Sequence, residues 1–232
     1  MCGRFTLRAS PLELAEVFEL LREPVAIPRF NIAPTQSVAV VRAGEAGREL
    51  SQVRWGLIPS WAKDEKIGSR LINARGETVA EKPSFRSAFK RRRCLVPADG
   101  FYEWKKLDDR SKQPYFIGMA GDEPFAFAGL WEHWTDPGGK EVESCTIITT
   151  EANELLAELH DRMPVILHEQ DYDQWLDPQE AEKDRLLGLL VPYESSALRA
   201  YPVSRLVNSP RNDVAECVKP IDEGRSDGRL FD

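Results

Sequence analysis

Cys94-Leu95-Val96-Pro97-Ala98-Asp99-Gly100-Phe101-Tyr102-Glu103-Trp104 is the stretch that decides the fold class. An apolar run reads as a strand, Asp99-Gly100 interrupts it as a turn or bulge, and an aromatic-rich strand follows. Alternation along the second strand sets Tyr102 and Trp104 on one face and Phe101 and Glu103 on the other. A carboxylate beside a bulky apolar residue on a sheet is costly unless paired. Such surroundings raise its pKa, which suits a general acid or base. An exposed glutamate on an edge strand is the alternative.

The same signals extend in both directions. Apolar, β-branched or aromatic runs predict strands over 114–119, 125–131, 144–149 and 163–167, and upstream over 38–41 and 52–56, with a turn at 44–47. The 57–62 loop that follows is expected to expose or half-bury two tryptophans, Trp55 and Trp61, beside Lys63. Helices are fewer. Ser10-Pro11-Leu12-Glu13 combines an N-cap serine, a proline at N1 and a glutamate at N3, and Leu14, Val17, Phe18 and Leu21 follow at helical spacing. Pro24 and Pro28 end that helix and open an irregular stretch over 29–36. Short helical pieces are expected over 77–81 and 84–90, with helices over 151–160, capped by Thr150, and over 171–176 and 179–190. No repeat or linker divides the chain. The class is α+β with a mainly antiparallel core, one domain over 1–221, and a disordered tail over 222–232.

Composition bounds the rest. A chain of 232 residues with 42% hydrophobic content and six tryptophans can bury a substantial core. No run approaches a membrane span, and the start lacks the regions of a signal peptide. The four cysteines (Cys2, Cys94, Cys145, Cys217) form no CxxC pair and the three histidines no metal spacing, so neither a metal nor a disulfide framework is expected. A reducing, cytoplasmic compartment fits. The net charge of −7 argues against nucleic acid, yet residues 54–106 carry 13 basic against 6 acidic side chains. That local +7 leaves −14 for the remainder, and residues 151–232 hold 9 basic and 18 acidic groups. A basic groove on an acidic body is permitted, although Lys90 to Arg93 also fit a solvated loop.

The first residues, Met1-Cys2-Gly3-Arg4-Phe5-Thr6, add a chemical possibility. Methionine is removed ahead of a small second residue, and the mature chain then begins with Cys2. An N-terminal cysteine carries an amine and a thiol with ordinary pKa values of roughly 7.7–8.0 and ~8.5. The amine attacks an aldehyde to give an imine, and the thiol closes the imine to a thiazolidine. An arbitrary small residue at a frayed end is the plain alternative. His160 is expected at a helix C-terminus, where the macrodipole favours a protonated ring. Asn73 and Arg75, two apart, share a side if extended, and could fix a nucleophile and a phosphate.

Six stretches, MCGRFT, FNIAPTQ, RWGLIPSWA, INARGET, CLVPADGFYEW and LHDRMPVIL, occur in that order, and the resemblance they carry runs from Met1 to about Pro210. Together they closely resemble the SOS-response-associated peptidase family, also described as abasic-site processing proteins. The resemblance implies a curved, barrel-like β core with peripheral helices. It also implies a thiazolidine crosslink to the ring-opened aldehyde of abasic sites in single-stranded DNA, without metal or cofactor. Cys2 would be the nucleophile, Asn73 the holder of the cysteine terminus, Glu103 the proton shuttle and His160 its partner at the deoxyribose. Arg4, Arg75 and Arg162 match phosphate contacts, Thr149 and Trp104 line the same site, and Arg86 matches a looser motif. A monomer suffices for one strand and one nucleophile. A cysteine peptidase built on Cys2, His160 and Asn73, an abasic-site lyase acting through the imine, and a non-covalent binder are the competing functions.

Overall fold

The computed structural model of the chain describes residues 2–180 and 182–221, so the expected tail over 222–232 lies outside the described residues. β1 (Phe5–Leu7) leads into α1 (Pro11–Val17), whose start is the expected capping box. The Ser10 hydroxyl accepts from Glu13 N at 3.2 Å, and the Glu13 carboxylate accepts from Ser10 N at 2.7 Å. Leu14 and Phe18 are buried as the spacing requires. Leu21 is not, because the chain turns out of the helix at Glu19, with φ of 49°. The stretch read as irregular contains β2 (Arg29–Ile32), followed by the hairpin of β3 (Ser37–Ala43) and β4 (Arg48–Trp55) around the 44–47 turn.

Next come β5 (Asn73–Arg75), α2 (Arg86–Arg91), β6 (Arg93–Ala98), β7 (Gly100–Lys106), β8 (Lys112–Met119), β9 (Phe125–Thr135) and β10 (Glu141–Glu151). The last third holds α3 (Glu154–Ala157), β11 (Arg162–Pro164), β12 (Ile166–Leu167), α4 (Tyr172–Leu176), α5 (Lys183–Gly188) and β13 (Leu198–Pro202). The helix expected over 151–160 is reduced to the single turn of α3. Its cap is Asn153, whose side chain accepts from Leu156 N at 2.9 Å, because β10 pairing continues through Thr150 and Glu151. Similarly, α5 is shorter than the predicted 179–190 helix.

Five strands close a barrel: β10 pairs with β4, β4 with β3, β3 with β6, β6 with β9, and β9 returns to β10. Only the β10–β4 contact in this ring is parallel, and β5 adds a second parallel contact on β10. Closure pairs strands that would otherwise present open edges. The second sheet is antiparallel and ordered β13-β8-β7-β1-β2.

The break at Asp99 is therefore not a hairpin. β6 belongs to the barrel and β7 to the second sheet, and Asp99 is the corner between them. Its carboxylate accepts from Thr6 Oγ1 at 2.5 Å, Arg8 Nε at 2.9 Å, Ala9 N at 3.0 Å and Arg8 N, which ties β1 to the corner. Gly100 is obligatory there, since a Cβ would overlap the Phe116 ring. Phe101 packs into the main core against Phe127, beside Phe5 and Trp55. Tyr102 faces a smaller cluster with Phe116, Val203, Val207 and Cys217. The predicted alternation holds.

Candidate active site

β1 carries the N-terminal segment alongside β7. Phe5 pairs with Phe101, Thr6 with Gly100, and Tyr102 N donates to Arg4 O at 3.0 Å. Cys2 is fully buried at the head of this run, with Sγ 4.0 Å from Arg4 O. Asn73 meets it from the barrel. β5 is only three residues long, but pairing of Asn73 with Ile147 fixes its side chain, and Nδ2 donates to Cys2 O at 2.8 Å. Among the described residues, Asn73 Oδ1 is buried without a hydrogen-bond partner. An orphan acceptor beside the cysteine backbone is suited to an amine donor.

Glu103 approaches from β7 and is 2% exposed. It is not an edge residue, because β8 flanks it on one side, through its pairing with Tyr115, and the N-terminal segment lies on the other. Burial raises its pKa above the ordinary carboxylate range, and the Asp161 charge acts in the same direction. Burial also pushes the Cys2 thiol far up, with the Glu103 carboxylate adding to the rise. Thiol and acid are thus both biased toward their protonated forms, and each opposes ionisation of the other.

At His160 the expected helix is a single turn, α3, which ends at Ala157 while His160 N still donates to Leu156 O at 2.8 Å. Desolvation lowers the His160 pKa, and the Lys112 and Arg162 charges contribute to the lowering. Asp161 Oδ1 lies 2.7 Å from Nδ1 and pulls the other way, but its side chain is 85% exposed and water screens it. Arg162 N donates to the same Nδ1 at 3.1 Å, so this ring nitrogen is held between a backbone donor and the Asp161 carboxylate.

The cations form two groups. Arg4 is half-buried, donates to Asn31 Oδ1 at 2.8 Å and Val207 O at 2.6 Å, and lies 5.8 Å from the Trp104 ring centroid. Arg162 makes a bidentate pair with Glu77, 2.9 Å on each arm, and donates to Thr149 O and Oγ1. Thr149 is buried and in register with Arg75 across β10 and β5. Arg75 and Arg86 are exposed, and among the described residues Arg86 makes no hydrogen bond or ion pair with the rest of the site. Trp104 donates through Nε1 to Asn208 Oδ1 at 2.8 Å on the face of β7 opposite Glu103.

The two tryptophans of the 55–61 region also separate. Trp55 is fully buried and donates to Ile72 O at 2.9 Å, which corrects the expected half-exposure, whereas Trp61 is 57% exposed beside Lys63. The aimed loop between them depends on Gly56, whose φ of 122° and close approach to Gly68 O exclude a side chain. Asn31 was missed by residue-level reasoning despite lying inside FNIAPTQ. Its amide donates to Val207 O, Ser209 O and Asn212 O at 2.7–3.2 Å while its oxygen holds Arg4. Among the described residues, no three His, Cys, Asp or Glu side chains are grouped to hold a metal ion, and no helix is long and apolar enough to cross a membrane.

The family described as SOS response associated peptidase (SRAP) matches residues 1–210. The chain is 47% identical over 222 residues to the abasic site processing protein YoqW of Bacillus subtilis (strain 168), covering 94% of this chain and 99% of that one. It is 36% identical to the abasic site processing protein HMCES of Gallus gallus, covering 97% of this chain and 79% of the other. Among solved structures, a protein of Bacteroides thetaiotaomicron matches with a TM-score of 0.85 at 28% identity, over 95% of this chain and 100% of that one.

Proposed function

The chain belongs to the SOS response associated peptidase family, and from that premise we propose that it captures abasic sites in single-stranded DNA covalently through Cys2. The observation that carries the reading is the convergence on Cys2 of the Asn73 amide and the buried Glu103, whose pKa is raised by burial. Two relatives, 47% and 36% identical, bear the name abasic site processing protein.

With Met1 removed, the Cys2 amine adds to C1′ of the ring-opened deoxyribose, and the resulting carbinolamine loses one water to give an imine. Sγ then bonds to C1′ while its proton ends on the nitrogen, closing the thiazolidine. The net change is loss of one water, and no oxidant, metal or organic cofactor is needed. Asn73 holds the Cys2 carbonyl, and its free oxygen can accept from the amine. Glu103, with its raised pKa, can give a proton to the departing water and take the thiol proton at closure. His160, whose Nδ1 is engaged by Arg162 N and Asp161, can donate from Nε2 at the sugar.

Abasic DNA offers no base edge, so affinity rests on phosphates and stacking. Arg75 and Arg86 are exposed for this purpose, while Arg4 and Arg162 would have to exchange internal partners. Thr149 and Trp104 would line the path, with Trp61 available to stack. The reaction needs only a monomer, in the cytoplasm and at the nucleoid when bound.

General peptidase activity is disfavoured by the directions of the shifts. A Cys–His nucleophile needs a lowered thiol and a readily protonated imidazole. Here the thiol is raised and His160 lowered. Removal of Met1 is then the only proteolysis this site would perform. The imine also allows β-elimination if closure fails, so Cys2→Ser should leave residual strand nicking.

Intact-protein mass spectrometry tests the reading. After incubation with a single-stranded oligonucleotide bearing one abasic site, the chain lacking Met1 should gain the oligonucleotide mass less one water. Cys2→Ala should gain nothing. An adduct that persists in Cys2→Ala sinks the proposal.

A further inference from the structure

Beside the site runs an open groove of about 540 Å³, lined by the β7–β8 hairpin and the segment after β13. It begins at Trp104 and includes Lys106, Arg110, Lys112, Arg205 and Asn208. Its two acids are already engaged. Asp109 accepts from Lys106 Nζ at 2.7 Å, and Asp108 accepts from Arg110 N, Ser111 N and Ser111 Oγ at 2.6–2.8 Å. Among the described residues, the side chains of Arg110, Lys112 and Arg205 make no hydrogen bond or ion pair, and Lys112 and Arg205 are exposed. The contrast with Arg4 and Arg162, both engaged internally, is direct. Available phosphate donors are more plentiful in this groove than at the arginines lining the reaction centre.

Position connects the groove to the nucleophile. β1 pairs with β7 only at Phe101 and Gly100, and the last backbone contact of that segment is Arg4 O with Tyr102 N. Among the described residues no strand covers β7 on that side beyond this point. A chain leaving Cys2 can therefore cross the uncovered end of β7 at Trp104 and enter the groove. Arg4 and Asn208, both on Trp104, brace that crossing.

We propose that this groove is a phosphodiester track, in which Lys112 and Arg205 neutralise backbone phosphates of the nucleotides on one side of the abasic residue. The proposal rests on the single-stranded DNA reading above and extends it to a surface outside the reaction centre. Trp104 is placed at the mouth, where it can stack on the first flanking base, and Asn208 holds its indole in that orientation.

The test uses the full chain and a single-stranded oligonucleotide with an internal tetrahydrofuran residue, which lacks the aldehyde. Binding is therefore read without covalent chemistry, and failure of the groove is separable from failure of Cys2 capture. Two lost phosphate contacts should reduce the slope of log K against log salt by about 1.4 in Lys112→Glu/Arg205→Glu, at ~0.7 per single-strand phosphate. Affinity at low salt should fall at least about tenfold by the same mechanism. Lys112→Arg/Arg205→Lys should keep the wild-type slope. Oligonucleotides with the tetrahydrofuran at the 5′ or the 3′ end should show the defect for one polarity only. A wild-type slope in the charge-reversed protein, or an equal defect for both polarities, overturns the track. Both variants alter exposed side chains, and circular dichroism confirms their folding.

Discussion

Asp99 and Glu103 lie on the same stretch of chain and are almost equally buried, at 4% and 2% exposure. Asp99 accepts from Thr6, Arg8 and Ala9, and its charge binds β1 to the corner between the sheets. Glu103 faces Cys2, and burial raises its pKa. One buried acid is surrounded by donors from β1 and the residues after it. The other is buried beside the thiol, and burial raises its pKa. The first contributes to the fold, and the second gives up stability for a proton that can move.

The largest expected effect therefore comes from Glu103→Gln. Loss of a general acid and base should slow adduct formation by roughly 10²–10⁴. The same variant should be more stable than wild type at pH 8. The sign follows from the raised pKa: Glu103 favours folding below the ordinary carboxylate range, and that contribution is lost as pH rises through its folded value. The gain should vanish near pH 4. Chemical denaturation at both pH values measures it, and a variant destabilised at pH 8 would contradict the contrast with Asp99.

Asp99→Ala should behave in the opposite way. Removing the carboxylate leaves the Arg8 and Ala9 N–H groups unpaired and Thr6 Oγ1 with only its longer bond to Gly100 O at 3.3 Å, at a cost of about 2–4 kcal/mol. Arg8 is 26% exposed, which allows its charge to reach water and keeps the loss below that of a sealed pair. The folded fraction should still form adduct. A loss under ~1 kcal/mol, or adduct formation abolished in folded protein, would mean that the two acids share one role.

This difference explains what could be read from the sequence. The capping box at Ser10 and the alternation of 101–104 are local, and both hold. The fate of Asp99 is not local, since its partners are Thr6, Arg8 and Ala9, and the turn signal therefore read correctly as a break but not as a change of sheet. β1 and β2 are only three and four residues long, too short for alternation to announce them, and the pairing of Phe5 with Ile32 holds them together. Leu155, Leu156 and Leu159 gave helical spacing, yet only Leu156 is buried, because β10 continues where the helix was expected to start. At the site, the residue types at Cys2, Asn73, Glu103 and His160 were legible. Burial, which sets the direction of each pKa, was not. Nor was the internal use of Arg4 by Asn31 and Val207, partners far away in sequence.

The smallest effect concerns Arg162, the site's most committed cation. Its bidentate partner Glu77 is 52% exposed, while Arg162 itself is 13% exposed. A pair half in water contributes less than ~1 kcal/mol, so Glu77→Gln should leave stability almost unchanged. Thr149 O still accepts from Nη2 at 2.7 Å, which keeps the guanidinium in place when Glu77 is neutralised. The arms that faced Glu77 then become available to a phosphate. Binding to a tetrahydrofuran strand should tighten by a few-fold at low salt, with a salt slope steeper by about 0.7 for one added contact. An unchanged slope would assign Arg162 to the scaffold with Asp99. A steeper one would assign it to the DNA surface, with Glu77 as the internal anion that a phosphate replaces.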